Sequence, residues 1–231
     1  MTALATVSER GHSATAALAR AGRDSSIDTM RGIAILMVIG IHSLQQPLGI
    51  SWALLVDAAL RPCVPVFLFA SGVLTARSGR VPFRKRMMAT LVPYAISFVA
   101  AYLYMAAHNP TMDHRITTTA ARFALAYVSV YYYVFVYVGC VIVSWLAFRA
   151  IRSGGQMHET LVPLMLFAIL LGLLCGSYLD PLLTRLSLSP SLIEEARMRD
   201  LPFWFGFVAL GILFGSLDLE PLLRGRRAVV I

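Results

Sequence analysis

Residues 31–42 read Arg-Gly-Ile-Ala-Ile-Leu-Met-Val-Ile-Gly-Ile-His. The residues between the two ionisable ends carry no charge, hydroxyl or amide side chain. Extended to about residue 50, the stretch has the length and composition of a helix crossing a hydrocarbon core, which takes about 20 mainly apolar residues. Working outward, five more runs of this kind follow, at about 62–76, 91–107, 126–148, 161–179 and 202–217. The expected fold is all-α: a polytopic transmembrane helix bundle with about six spans. The second run is short and opens on Pro62 and Pro65. Residues 53–60 extend it as a broken or re-entrant helix, which a membrane tolerates only where protein or a water-filled cavity surrounds the irregular backbone.

Composition supports this reading. Only 14% of the 231 residues are charged and 58% are hydrophobic, whereas about a quarter of a soluble domain is charged. The net charge of +8 raises nucleic acid as a partner. The basic residues, however, sit in short segments between long apolar runs, as membrane proteins distribute them, so no nucleic-acid partner is expected and the lipid bilayer is. Nearly all are Arg, a composition that suggests a GC-rich, bacterial genome. Cys63, Cys140 and Cys175 lie inside apolar stretches without metal-ligand spacing and read as small apolar helix residues; no metal site is expected.

Orientation follows from the charges. With the N-terminus inside and the spans alternating, fourteen of the 20 Lys and Arg residues fall on the inner side. That bias places the N-terminus in the cytoplasm and the protein in the cell's inner (cytoplasmic) membrane. Residues 1–30 are expected to form a polar, mostly disordered cytoplasmic tail, 31–217 the membrane domain, and 218–231 a short basic tail. The outer segments 108–125 and 180–201 are the natural places to meet an extracytoplasmic substrate.

Arg31 and His42 are eleven positions apart. At ~100° and 1.5 Å per residue they share one helix face and stand ~16 Å apart along it. This sets Arg31 at the cytoplasmic boundary and His42 near mid-membrane. An ionisable residue inside a membrane is costly, which makes it a functional-site hypothesis by default. A neutral imidazole can act as a general base, and a guanidinium can hold phosphate. Each residue also has an ordinary reading, Arg31 as a positive-inside charge and His42 as a hydrogen-bonded packing residue.

The stretch IDTMRGIAILMVIGIHS (27–43) resembles the opening of the acyltransferase 3 family, whose first span carries an Arg and a His at this spacing. VPVFLFASGVLTARS (64–78) resembles that family's Phe-rich second span ending in Ser-Gly, here Ser71 and Gly72. FRKRMMATLVPY (83–94) is similar to its basic turn into the third span, although the basic residues Arg84, Lys85 and Arg86 stand earlier and Thr90 lies three before Pro93. The likeness covers roughly 26–107 and fades beyond, where YYYVFVYVG (131–139) lacks the family's Trp. Six spans are fewer than the family usually has, so a short or truncated member is expected.

The resemblance implies a membrane-bound O-acyltransferase. Such an enzyme moves an acyl group, often acetyl, from acyl-CoA to a hydroxyl of an extracytoplasmic glycan or other acceptor, with acetyl-CoA as co-substrate and no bound cofactor. On this reading Arg31, Arg84 and Arg86 hold the donor and His42 is the catalytic base, with Arg31 orienting the donor; a transient acyl-His is an alternative. The 84–86 cluster also reads as a topogenic loop. Two other classes stay open. One is a catalytically silent relative acting as a membrane partner or sensor. The other is a small transporter component, for which no inverted pair of broken spans is found.

Weaker candidates remain. Asp57 reads as a helix cap or an orienting group for His42. Tyr131, Tyr132 and Tyr133 read most simply as an interfacial aromatic belt, with sugar stacking as the alternative role. His108, Asp113 and His114 read as solvated loop residues. Glu194, Glu195, Arg197 and Arg199 have the spacing of a surface helix with i,i+3 and i,i+4 pairs.

Overall fold

The computed structural model describes residues 25–44, 50–125, 132–153 and 157–217. The helices among them are α1 (Ser25–Ser43), α2 (Ser51–Leu60), α3 (Cys63–Ser78), α4 (Phe83–His108), α5 (Ile116–Ala124), α6 (Tyr132–Ser153), α7 (Met157–Arg185), α8 (Pro190–Met198) and α9 (Leu201–Ser216), and the described residues contain no strand. Six stretches are long and apolar enough to cross a membrane: Ser25–Ser43, Ser51–Ser78, Phe83–His108, Tyr132–Arg152, Glu159–Arg185 and Pro190–Ser216. They match the six expected runs one for one, with different ends. The large apolar side chains point outward as well as inward. Leu36, Ile96 and Leu173 are 68%, 66% and 62% exposed, which suits helices whose outer solvent is lipid.

The chain divides into two compact units, residues 1–66 and 67–231. In the first, α1 and α2 meet where Leu60 lies against Gly40; a Cβ built on Gly40 would stand 2.8 Å from Leu60 Cδ1. The second span is broken as the prolines imply. Helix α2 ends at Leu60, Arg61 and Pro62 form a turn, and α3 restarts at Cys63. Pro62 has no N–H to carry α2 onward, but its carbonyl accepts the Val66 N–H at 3.0 Å and so serves the first turn of α3.

In the second unit α9 is the central element, and its Phe205, Val208, Ala209 and Ile212 are buried. Helices reach it at glycines. A Cβ on Gly211 would lie 2.1 Å from the Phe69 carbonyl oxygen, and one on Gly72 2.2 Å from that of Val208. α3 and α9 therefore touch backbone to backbone and run parallel, with Gly215 against Val73 and Ala76. α7 meets α9 antiparallel through Gly172 and Gly176, against Pro202 and Phe203. Gly172/Gly176 and Gly211/Gly215 are both spaced four apart, the small-residue spacing that lets membrane helices approach closely. The sequence reading passed over this pattern.

Local signals set the helix ends. Asp200 caps α9, its Oδ1 accepting the Phe203 N–H at 3.2 Å, and Ser189 caps α8 through Leu192. Each cap is followed by a proline in the first turn, where a missing N–H costs nothing. Gly79 ends α3 at φ +58°, the left-handed conformation that a glycine accepts without strain.

Candidate functional site

Arg31 and His42 lie in one continuous helix, α1, of 19 residues. The helix starts at Ser25 and ends at Ser43, so Arg31 stands well inside it and His42 belongs to its last turn. This differs from the expected mid-span place for His42. The last turn tightens, with the Leu44 N–H donating to Ile41, and the polar pair Gln45–Gln46 and Pro47 follow in the sequence, outside the described residues. A residue before proline is pushed out of helical backbone, which favours an early end. Both side chains are exposed at the chain's own surface. Among the described residues the His42 side chain makes no hydrogen bond.

Asp57 does not cap a helix. It sits in the last turn of α2, 6% exposed, and its Oδ2 accepts from Arg61 Nε at 2.7 Å. With its partner four residues on, the carboxylate is committed to Arg61 rather than to His42.

The basic turn is organised by a residue that the sequence reading missed. Thr75 is fully buried in α3. Its hydroxyl donates to the Ser71 carbonyl at 2.7 Å and accepts from Arg86 Nη1 at 2.8 Å. Arg86 is thereby held against α3, half-buried, while Arg84 and Lys85 are exposed. Two positions along a helix turn a side chain by ~200°, so Arg84 and Arg86 cannot face the same way. No sequence signal marks Thr75, since a threonine in an apolar helix also bonds back to its own helix for local reasons. Gly72, read as part of the Ser-Gly signature, is a packing residue against α9.

The ends of α3 and α6 and the start of α4 lie together. The Phe83 and Trp145 rings are 5.2 Å apart, and Arg152 donates to the Gly79 carbonyl. Charges from 77–86 and from 149–152 thus gather at one end of the second unit.

The far end of α4 carries a polar cluster. His114 Nδ1 is 3.2 Å from the Tyr102 hydroxyl, and His108 Nδ1 is 2.8 Å from the Tyr104 carbonyl. Asp113 accepts from the Arg115 N–H at 2.9 Å and from the Thr118 hydroxyl at 2.9 Å. Those two bonds, the Arg115 N–H first, hold its carboxyl below the ordinary aspartate range. These residues shape the loop and are not merely solvated. Of the expected helix pairs, Glu195–Arg199 forms, whereas Arg197 turns to Asp180 at 3.2 Å. Tyr132 packs on Trp204 and Tyr133 on Phe67, while Tyr131 lies outside the described residues. Cys63, Cys140 and Cys175 are free thiols. Among the described residues no three His, Cys, Asp or Glu side chains gather as a metal site.

A family model described as an acyltransferase domain matches residues 24–231. No curated protein and no solved structure matches the chain. The match begins one residue before α1 and takes in every described helix, well beyond the 26–107 over which the motifs are legible. With that match and six helices fit to span a membrane, this chain belongs to the acyltransferase 3 family and is a multi-pass membrane acyltransferase by family.

Proposed function

We propose that the protein transfers an acyl group, acetyl in the first instance, from acyl-CoA on the cytoplasmic side of the inner membrane to a hydroxyl of an extracytoplasmic glycan or other acceptor. The observation that carries this reading is the family match over residues 24–231, with Arg31 and His42 on a single helix inside it. His42 accepts the proton of the acceptor hydroxyl, the oxygen attacks the thioester carbonyl, and the C–S bond breaks to release CoA. Arg31 and Arg86 bind donor phosphates, Arg86 with its guanidinium already oriented by Thr75. Arg84, exposed on the same turn, adds charge that draws the donor in.

The test is acyl transfer from labelled acetyl-CoA in a strain with a defined surface glycan. Wild type is compared with His42→Ala and Arg31→Ala. Label on the glycan with wild type only supports the reading. Full transfer by His42→Ala would remove the base, and no transfer by wild type, in cells where a longer relative labels the glycan, would remove the enzyme reading for this chain.

A further inference from the structure

Arg80, Arg149 and Arg152 line one cleft with Val81, Trp145 and Phe148 at the basic end of the second unit. The cleft encloses about 310 Å³, the lower range of small-molecule sites. None of the three arginines has a carboxylate partner among the described residues. The sequence explains why: no Asp or Glu occurs between residues 58 and 112 or between 114 and 158. Arg149 and Arg152 are three apart on α6, a spacing at which like charges repel. The helix C-terminus and the Gly79 carbonyl relieve that repulsion only in part. A purely topogenic set of arginines would fan out into water. Here Arg149 instead lies over the Trp145 ring, 5.3 Å from its centroid, and that ring is fixed from its other neighbour by Phe83. The Arg149 and Arg152 guanidiniums are thus partly oriented before any ligand arrives.

We infer that this cleft binds a phosphate ester at the membrane boundary. Guanidiniums match phosphate oxygens bidentately, and basic pockets between membrane helices are suited to phosphorylated headgroups. Two sources present this chemistry, a phosphorylated nucleoside, as in the tail of CoA, and an anionic phospholipid. The nucleotide source would deepen the donor reading above; the lipid source is independent of it.

The test uses the full chain in nanodiscs of phosphatidylcholine. One arm titrates adenosine 3′,5′-bisphosphate. The other replaces part of the lipid with phosphatidylglycerol and scores the lipid retained by native mass spectrometry. Arg80→Gln and Arg149→Gln are each compared with wild type, with Arg185→Gln, on α7, as the control. The Arg80 side chain makes no hydrogen bond or ion pair among the described residues, and its carbonyl, which accepts from the Ser78 hydroxyl at 2.8 Å, is kept in the variant, so Arg80→Gln should leave the fold intact. Loss of roughly tenfold in affinity for one probe in both cleft variants, and not in the control, is expected. The responding probe names the source. Wild type binding neither probe, or cleft variants binding both as wild type does, would overturn the site. Neither arm needs turnover, so an inactive chain can still show the site and an active one can fail to.

Discussion

Replacing Gly211 by alanine puts one methyl group into the α3–α9 crossing. Its carbon would lie 2.1 Å from the Phe69 carbonyl oxygen, 2.9 Å from that carbonyl carbon and 3.1 Å from Gly72 Cα. A carbon normally keeps about 3.3 Å from such an oxygen, so the helices must separate by about 1 Å. The obstacle is backbone, and no rotamer change removes it. A gap of that size forfeits up to half the dispersion attraction across the contact. The side chains sharing the crossing, Val73, Val208 and Ile212, are buried, and the Phe69 and Phe214 rings are 5.6 Å apart across it. In lipid, association rests on such packing rather than on a hydrophobic drive between helices. Overpacking costs about 1–3 kcal/mol, and this case belongs at the upper end. At about 2–4 °C per kcal/mol for a chain of this size, the midpoint should fall by roughly 10 °C. Thermal unfolding in detergent can be followed by thiol labelling, because Cys63 and Cys140 are buried and free. Gly72→Ala should behave alike, and the double variant should cost less than the sum, since both strain one contact. Gly32→Ala, with nothing within 4 Å, is the control. If Gly211→Ala and Gly72→Ala both melt with the wild type, the backbone crossing is wrong and α9 is not the centre of this unit.

Three further outcomes are expected. Thr75→Val keeps the side chain's shape but removes one acceptor of Arg86, the Thr75 hydroxyl; it should cost about 1–3 kcal/mol of stability and raise the KM for acyl-CoA, whereas Thr75→Ser should retain both the stability and the KM of the wild type. Because the Asp113 carboxyl is held below its ordinary range, the loop stabilisation it supplies is complete above the ordinary aspartate value and is lost as pH falls through the lowered one. Amide exchange at Arg115 should therefore speed up only below the ordinary aspartate range, and Asp113→Asn should remove that dependence. Asp200→Ala removes the cap of α9 and should lower stability by about 1 kcal/mol, read by the same thiol assay, with Asp200→Ser recovering most of it.

Much of the fold was legible along the chain. Apolar runs of bilayer length mark all six spans, because a membrane demands satisfied backbone over a set length wherever the helix ends up. Pro62 marks the break in the second span, and Ser189 and Asp200, each just ahead of a proline, mark the starts of α8 and α9. The Asp57–Arg61 pair was legible too, at i,i+4, but Asp57 was read instead as a cap or as an orienting group for His42. The ends of spans were harder: α1 closes at Ser43 with His42 in its last turn, because the hydropathy that continues to Ile50 does not register how a polar pair and a proline affect helical backbone.

The Arg–His spacing on which the sequence reading turned is a one-dimensional feature, and one helix carries it. From sequence alone came the membrane, the number of spans, the family and the two ionisable residues of the first span. Each depends on the length, hydropathy or spacing of residues close along the chain. The folded structure alone decided that Arg86 rather than Arg84 is held by Thr75, that Gly72 and Gly211 let two backbones touch, and that Arg80, Arg149 and Arg152 share a cleft with Trp145. The physical reason is the same in all three. Arg86 and Thr75 are eleven residues apart, Gly72 and Gly211 more than a hundred, and Arg80 and Arg149 nearly seventy. Such contacts exist only once helices pack, where backbone clearance and direction, not composition, decide which side chains meet.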